Sequence, residues 1–183
     1  MVLKGNKDIV YYRRNGKMFW FNRVWRVRRV EKEFMRDCTP GIGRVIKQNG
    51  YRIDRNKNEY KTAYWIKDNF GGDIICINEE LNRKDSESKP DYIWKGKWWD
   101  LKNLNGASGL SKRLKIAIYQ INSNTEREPG GVILDITNAG ISDKDAIAIV
   151  KRRLSESAKT KMHVIIKRKL KVVAIIKAEK KQT

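Results

Sequence analysis

Asp91, Asp100 and Lys102 stand within PDYIWKGKWWDLK, residues 90–102, and are residue types suited to phosphodiester hydrolysis. Two carboxylates opposed on adjacent strands, or one strand step apart, repel each other unless something positive lies between them. A divalent cation does this with oxygen ligands, since Mg²⁺ binds through one or two carboxylates, substrate phosphate and water. Such an ion acidifies a bound water and stabilises charge that develops on a scissile phosphate. Lys102, two residues past Asp100, is then placed to position the attacking water or to neutralise the phosphate.

The segment that must position these groups reads as a β-hairpin, because aromatic and β-branched residues flank Lys95-Gly96-Lys97. Two registers are open. With Lys95-Gly96 as the loop, Asp91 lies across from Asp100; with Gly96-Lys97 as the loop, it lies across from Lys102. Side chains alternate along a strand, so either register sets Asp91, Asp100 and Lys102 on one face. Trp94, Trp98 and Trp99 imply a hairpin buried on at least one side.

The surrounding charge points the same way. The chain has 183 residues, 41 Lys+Arg against 21 Asp+Glu, and a net charge of +20. Residues 1–50 carry 13 basic and 4 acidic side chains, residues 51–106 carry 11 and 10, and residues 107–183 carry 17 and 7. Cationic flanks around an acidic centre match an enzyme that grips phosphates with Lys and Arg and a cation with carboxylates. With hydrophobic residues at 40%, the chain has the core material that a disordered basic tail lacks. The expected partner is nucleic acid, RNA or DNA. No apolar run reaches a membrane span of about 20 residues, and the N-terminus lacks the apolar core of a secretory signal. Cys38 and Cys76 fit neither a disulfide framework nor a zinc site, which suggests a reducing, cytoplasmic place of action.

Composition divides the chain into a basic, aromatic-rich N-terminal extension (1–50) and a catalytic domain (51–183). Residues 56–70 read as a helix: Asn56 and Glu59 have capping-box spacing, Glu59, Ala63, Ile66 and Phe70 form one stripe, and Gly71-Gly72 stops it. Residues 73–77 read as a short buried strand and 78–89 as a polar loop. After the hairpin come a helix over 110–122, a strand over 132–137, a helix over 142–154 capped by Ser142, and strands at 164–166 and 172–176. The order specifies an α/β sandwich around one mixed sheet. His163 stands alone and reads as packing or surface, and Gly41-Ile42-Gly43 is too short for a phosphate-cradling loop.

Pro90-Asp91, eight residues, then Asp100-Leu101-Lys102 resembles the motif of the PD-(D/E)XK nuclease superfamily, carried there on an antiparallel strand pair. The resemblance implies a restriction-endonuclease-like fold and a divalent cation, Mg²⁺ or Mn²⁺, held by Asp91 and Asp100. Glu59 matches a further glutamate that many members place on the preceding helix, as a third metal ligand. Gln120 matches a polar residue on the following helix, and Lys112, Arg113, Lys115 and Lys97 are the implied phosphate contacts. Within the superfamily, residues 59–176 look like the tRNA-cleaving C-terminal toxin domain of contact-dependent growth inhibition proteins, which implies an RNA substrate and an acidic immunity protein as partner. DNA cleavage as in restriction, repair or junction enzymes, and binding without catalysis, are the alternative readings. Two departures stand out: Asp100 replaces the glutamate that toxin-like members prefer, and the chain begins with its own basic region.

Overall fold

The computed structural model describes residues 9–14, 17–22, 25–78, 89–123 and 126–181. Ten strands and four α-helices are present among them. The strands β1 (Ile9–Arg14) and β2 (Lys17–Asn22) pair with each other as an antiparallel ribbon. The remaining eight form one mixed sheet: β3 (Trp25–Arg29), β4 (Val45–Lys47), β5 (Ile74–Cys76), β6 (Tyr92–Trp94), β7 (Lys97–Asn103), β8 (Pro129–Asp135), β9 (Met162–Arg168) and β10 (Lys171–Lys180). Their order across the sheet is β3-β10-β9-β8-β7-β6-β5-β4. Helices α1 (Glu31–Arg36), α2 (Lys57–Phe70), α3 (Leu110–Ser123) and α4 (Asp143–Ser157) complete the mixed α/β fold.

Local chemistry accounts for these boundaries. Gly71 ends α2 at φ 71°, a left-handed conformation that glycine adopts without steric cost. Ser142 caps α4 by accepting a hydrogen bond from the Asp145 N–H at 3.1 Å. In the β6–β7 hairpin Tyr92 pairs with Trp99, Ile93 with Trp98 and Trp94 with Lys97. The loop is therefore Lys95-Gly96, with φ of 50° and 72°. Positive φ at both central residues matches the right-handed twist of the strands, and of the two registers open in the sequence this is the one formed.

Two cores lie on opposite faces of the sheet. Ala63, Ile66 and Phe70 of α2 pack on Tyr92, Trp94, Trp99, Leu101, Ile133 and Ile165. Leu114, Ile118 and Ile121 of α3 and Val150 of α4 pack on Val132, Leu134, Val164 and Ile166. Parallel β7, β8 and β9 are joined by α3 and α4 as crossovers, so both helices run antiparallel to the strands they cover.

Residues 25–50, read from composition as part of an N-terminal extension, supply both edge strands of this sheet: β3 pairs with β10 and β4 with β5. The 50/51 boundary in charge is not a boundary in hydrogen bonding. The polar stretch expected as a loop lies largely outside the described residues, at 79–88, as does the C-terminal end of the basic tail, at 182–183. Both cysteines are free thiols. No helix among the described residues is long and apolar enough to cross a membrane.

Candidate active site

Asp100 sits mid-strand in β7 between Trp99 and Leu101, whose side chains enter the α2-side core. Alternation therefore turns Asp100 and Lys102 to the α3 side, beside Val132 and Leu134, their partners in β8. Asp100 is 1% exposed, yet it is a carboxylate in the centre of a sheet. Burying such a charge is costly without a partner, and Lys102 supplies one, its Nζ 2.8 Å from Asp100 Oδ2.

Asp91 lies one residue before β6, where the hairpin register continues to Asp100. Its own carbonyl accepts from the Ile77 N–H at 3.0 Å, extending the pairing with β5. Its side chain takes over where the β6–β7 ladder ends: Oδ2 accepts from the Leu101 N–H at 2.5 Å. The position that a further strand residue would fill is thus filled by a carboxylate. Burial holds the Asp91 carboxyl well above the usual carboxylate range, and the charges of Asp100 and then Glu59 add to this. The Leu101 N–H and Lys102 act in the opposite direction.

Glu59 enters from the first turn of α2. The Asn56 side chain makes no capping hydrogen bond, so the alternative reading of Glu59 as half of a capping box is not what the fold forms. The Tyr51 hydroxyl donates to Glu59 Oε2 at 3.3 Å, and the Tyr92 hydroxyl donates to the Glu59 carbonyl at 2.8 Å. Burial and nearby acids push up both phenols, and burial followed by Glu59 pushes the Cys76 thiol up to about 12. All three stay protonated at neutral pH. Tyr51 and Tyr92 are site residues that sequence reading missed, although Tyr92 stands directly after Asp91 in the hairpin segment.

Gln120 reaches the same region by helix geometry. Arg113 of α3 donates to the Asn103 carbonyl at 2.9 Å, which pins this turn of the helix to the end of β7. Seven helical residues advance about 10 Å. Because α3 runs back along β7, ideal geometry matches this to about three strand residues, from the level of Asn103 towards that of Asp100. Gln120 is partly buried, whereas Lys112, Arg113 and Lys115 on the same helix are exposed. Lys97 is not brought to the acids: it shares the face of Trp99, lines a cleft with Trp94 and His163, and pairs with Glu128 at 2.7 Å. His163 packs against Phe34 with ring centroids 5.1 Å apart, and burial lowers its pKa to about 4.

The donor set suits a hard cation. Among the described residues no group of three or more His, Cys, Asp or Glu side chains is placed to hold a metal ion, so Glu59 is not brought together with Asp91 and Asp100 as the expected third ligand. Two buried carboxylates whose mutual repulsion is only partly relieved by a lysine fit an ion that keeps water and takes phosphate oxygens as its other ligands.

No family model matches the chain. No curated protein matches it either. Among solved structures the chain is similar to one titled CdiA-CT/CdiI toxin and immunity complex from Burkholderia pseudomallei, with 12% sequence identity and a TM-score of 0.46. The similarity covers 75% of this chain and 98% of that one.

Proposed function

We propose that the chain is a metal-dependent endonuclease with a PD-(D/E)XK-type site in a restriction-endonuclease-like sheet. One observation carries this reading: a buried acid pair, Asp91 and Asp100, in a protein of net charge +20, with Lys102 in contact with Asp100. A structural pair of acids would weaken the fold for no return, whereas a cation-binding pair draws its compensation from the ligand. Asp91 and Asp100 hold the cation, Mg²⁺ or Mn²⁺, with Glu59 contributing through water. When bound, that ion supplies an acidified water and charge stabilisation at the phosphate.

The protein's own groups do the rest. The Leu101 N–H fixes the Asp91 carboxylate, and the Tyr51 hydroxyl holds Glu59 towards the site. Lys102 keeps its ammonium at the acid pair, where it orients the attacking water or meets a non-bridging phosphate oxygen. Gln120, partly buried on α3, supplies the amide that the resemblance assigns to this helix, and the exposed basic residues of α3 hold flanking phosphates.

RNA, tRNA in particular, is the substrate that the sequence resemblance favours, and a toxin role entails an acidic immunity protein and action in the cytoplasm. Incubation with total tRNA, ribosomal RNA, and single- and double-stranded DNA tests the reading, with Mg²⁺ or with EDTA, for wild type and Lys102→Ala. The reading expects metal-dependent cleavage of RNA that the substitution abolishes. Cleavage of DNA alone would move the chain to the DNA-cutting branch, and binding without any cleavage would sink the enzymatic reading.

A further inference from the structure

Residues at the carboxyl ends of the three parallel strands form a row that the acid pair does not use. Asn103 of β7 pairs in register with Asp135 of β8, and Asp135 with Lys167 of β9. They share the face of Leu101, Ile133 and Ile165, the α2 side of the sheet. Asn58, Lys61 and Trp65, at helical spacing on α2, stand over the row, and together they enclose a cleft of about 430 Å³. This is the carboxyl end of the parallel strands β7, β8 and β9 within the mixed sheet, the end at which open α/β sheets bind ligands. Its walls continue the chain segments that carry the acids, Asn103 following Lys102 and Asn58 preceding Glu59, but it opens on the α2 face whereas Asp100 and Lys102 turn to the α3 face.

The chemistry of the lining selects a ligand class. Asp135 is the one acid lining the cleft, and it is already satisfied. Its Oδ1 accepts from the Thr137 N–H at 2.9 Å and from the Thr137 hydroxyl at 2.5 Å, and its Oδ2 accepts from Lys167 Nζ at 2.5 Å. Lys167 is itself buried, with its ammonium 5.2 Å over the Trp65 ring, so that indole face is not available for stacking. The cleft therefore presents amides, Asn58, Asn103 and Asn138, with exposed Lys61 and Lys169 at its rim. Among the described residues neither Lys61 nor Lys169 has a carboxylate within ion-pair distance. Amides that donate and accept, beside two uncompensated ammoniums, suit a hydrogen-bonding heterocycle joined to phosphate.

We propose that this cleft is a subsite for a single unpaired nucleotide of a bound strand, away from the acid pair, with its base against the asparagines and its phosphates at Lys61 and Lys169. The inference rests on the nuclease reading only for the bound strand being a substrate, while binding in the cleft is separable from cleavage. A volume of about 430 Å³ is that of a site for one small ligand. A base must leave its stack to enter, so the strand bound is single or looped, as in most sequence-specific RNA recognition.

The test measures binding by fluorescence anisotropy on cleavage-disabled Asp100→Asn protein, with labelled single-stranded oligonucleotides of each base and a duplex of equal length. Lys61→Ala with Lys169→Ala should weaken single-strand binding about tenfold and lower the salt slope by about 1.4, the value for two lost phosphate contacts. A matched pair on α4, Lys144→Ala with Arg152→Ala, should change both by much less. Asn138→Ala, at an exposed position, should flatten the preference among the four bases. Equal effects of the two basic pairs, duplex binding as tight as single-strand binding, or unchanged base preference in Asn138→Ala would each overturn the proposal. These outcomes read the cleft whether or not wild type cuts, so failure of the nuclease reading is seen separately.

Discussion

Substituting Asp91→Asn should stabilise the cation-free protein while abolishing its activity. Asp91 and Asp100 are a cross-strand pair whose Cβ atoms are about 5 Å apart by sheet geometry. Two charges at that distance repel by about 3 kcal/mol at an effective dielectric constant of 20. Lys102 at 2.8 Å from Asp100, and the Leu101 N–H on Asp91, offset part of this. The net gain expected from the substitution is about 1–3 kcal/mol, since an amide oxygen still accepts from Leu101. The gain depends on pH. The Asp91 pKa is raised on folding, so the folded state is penalised as pH rises above the ordinary carboxylate value near 3.9, and the penalty is complete above the folded-state pKa. The variant should therefore match wild type near pH 4 and exceed it at pH 7.5, by about 2–10 °C in Tm for a chain of this size. Millimolar Mg²⁺ should raise the Tm of wild type at pH 7.5 and leave that of the variant unchanged. Comparison within each pH removes the contribution of His163, which titrates in the same range with opposite sign. A variant less stable than wild type at pH 7.5, or a gap that does not change with pH, would refute the picture of a repelling acid pair.

Three further outcomes follow from the geometry. If Lys102 acts at the reacting phosphate as proposed, Lys102→Ala should lower kcat at least about 10²-fold with little change in KM, as measured on labelled substrate. The pKa of His163 falls from 6.5 to about 4 on folding, so its contribution is present above pH 6.5 and lost as pH falls towards 4; urea unfolding at pH 7.5 and 5 should show a smaller acid loss in His163→Gln, by up to about 2 kcal/mol. Gly131→Ala would drive a Cβ into the His163 carbonyl of the neighbouring strand, which is backbone and cannot yield, and should lower Tm by about 4–10 °C.

How far the sequence carried the reading depended on how local each determinant was. The stop of α2 at Gly71, the Ser142 cap and the hairpin around Lys95-Gly96 are written in consecutive residues, and the structure forms them. The choice between the two hairpin registers was not in the strand pattern. It came from the backbone, where Lys95 takes a positive φ that its side chain disfavours. The role of residues 25–50 was hidden for another reason: β3 finds its partner in β10, about 150 residues away, and three-residue β4 carries too short a pattern to show its period. Glu59 had two readings at one spacing, and the Asn56 side chain making no cap, with Tyr51 bonding Glu59 instead, separated them. The row of Asn103, Asp135 and Lys167 was invisible because it depends on registers across three strands joined by helices. Asp135 followed at two residues by Thr137, closing a buried strand, was the one local sign of it.

The proposed function requires that Asp91 and Asp100 together hold one divalent cation. Calorimetric titration of Mn²⁺ into the full chain tests it most directly, in wild type, Asp91→Asn and Asp100→Asn. One ion bound per wild-type chain, with binding lost in both variants while their far-UV spectra stay unchanged, is the expected result. No binding to wild type, or binding that survives both substitutions, would contradict the account.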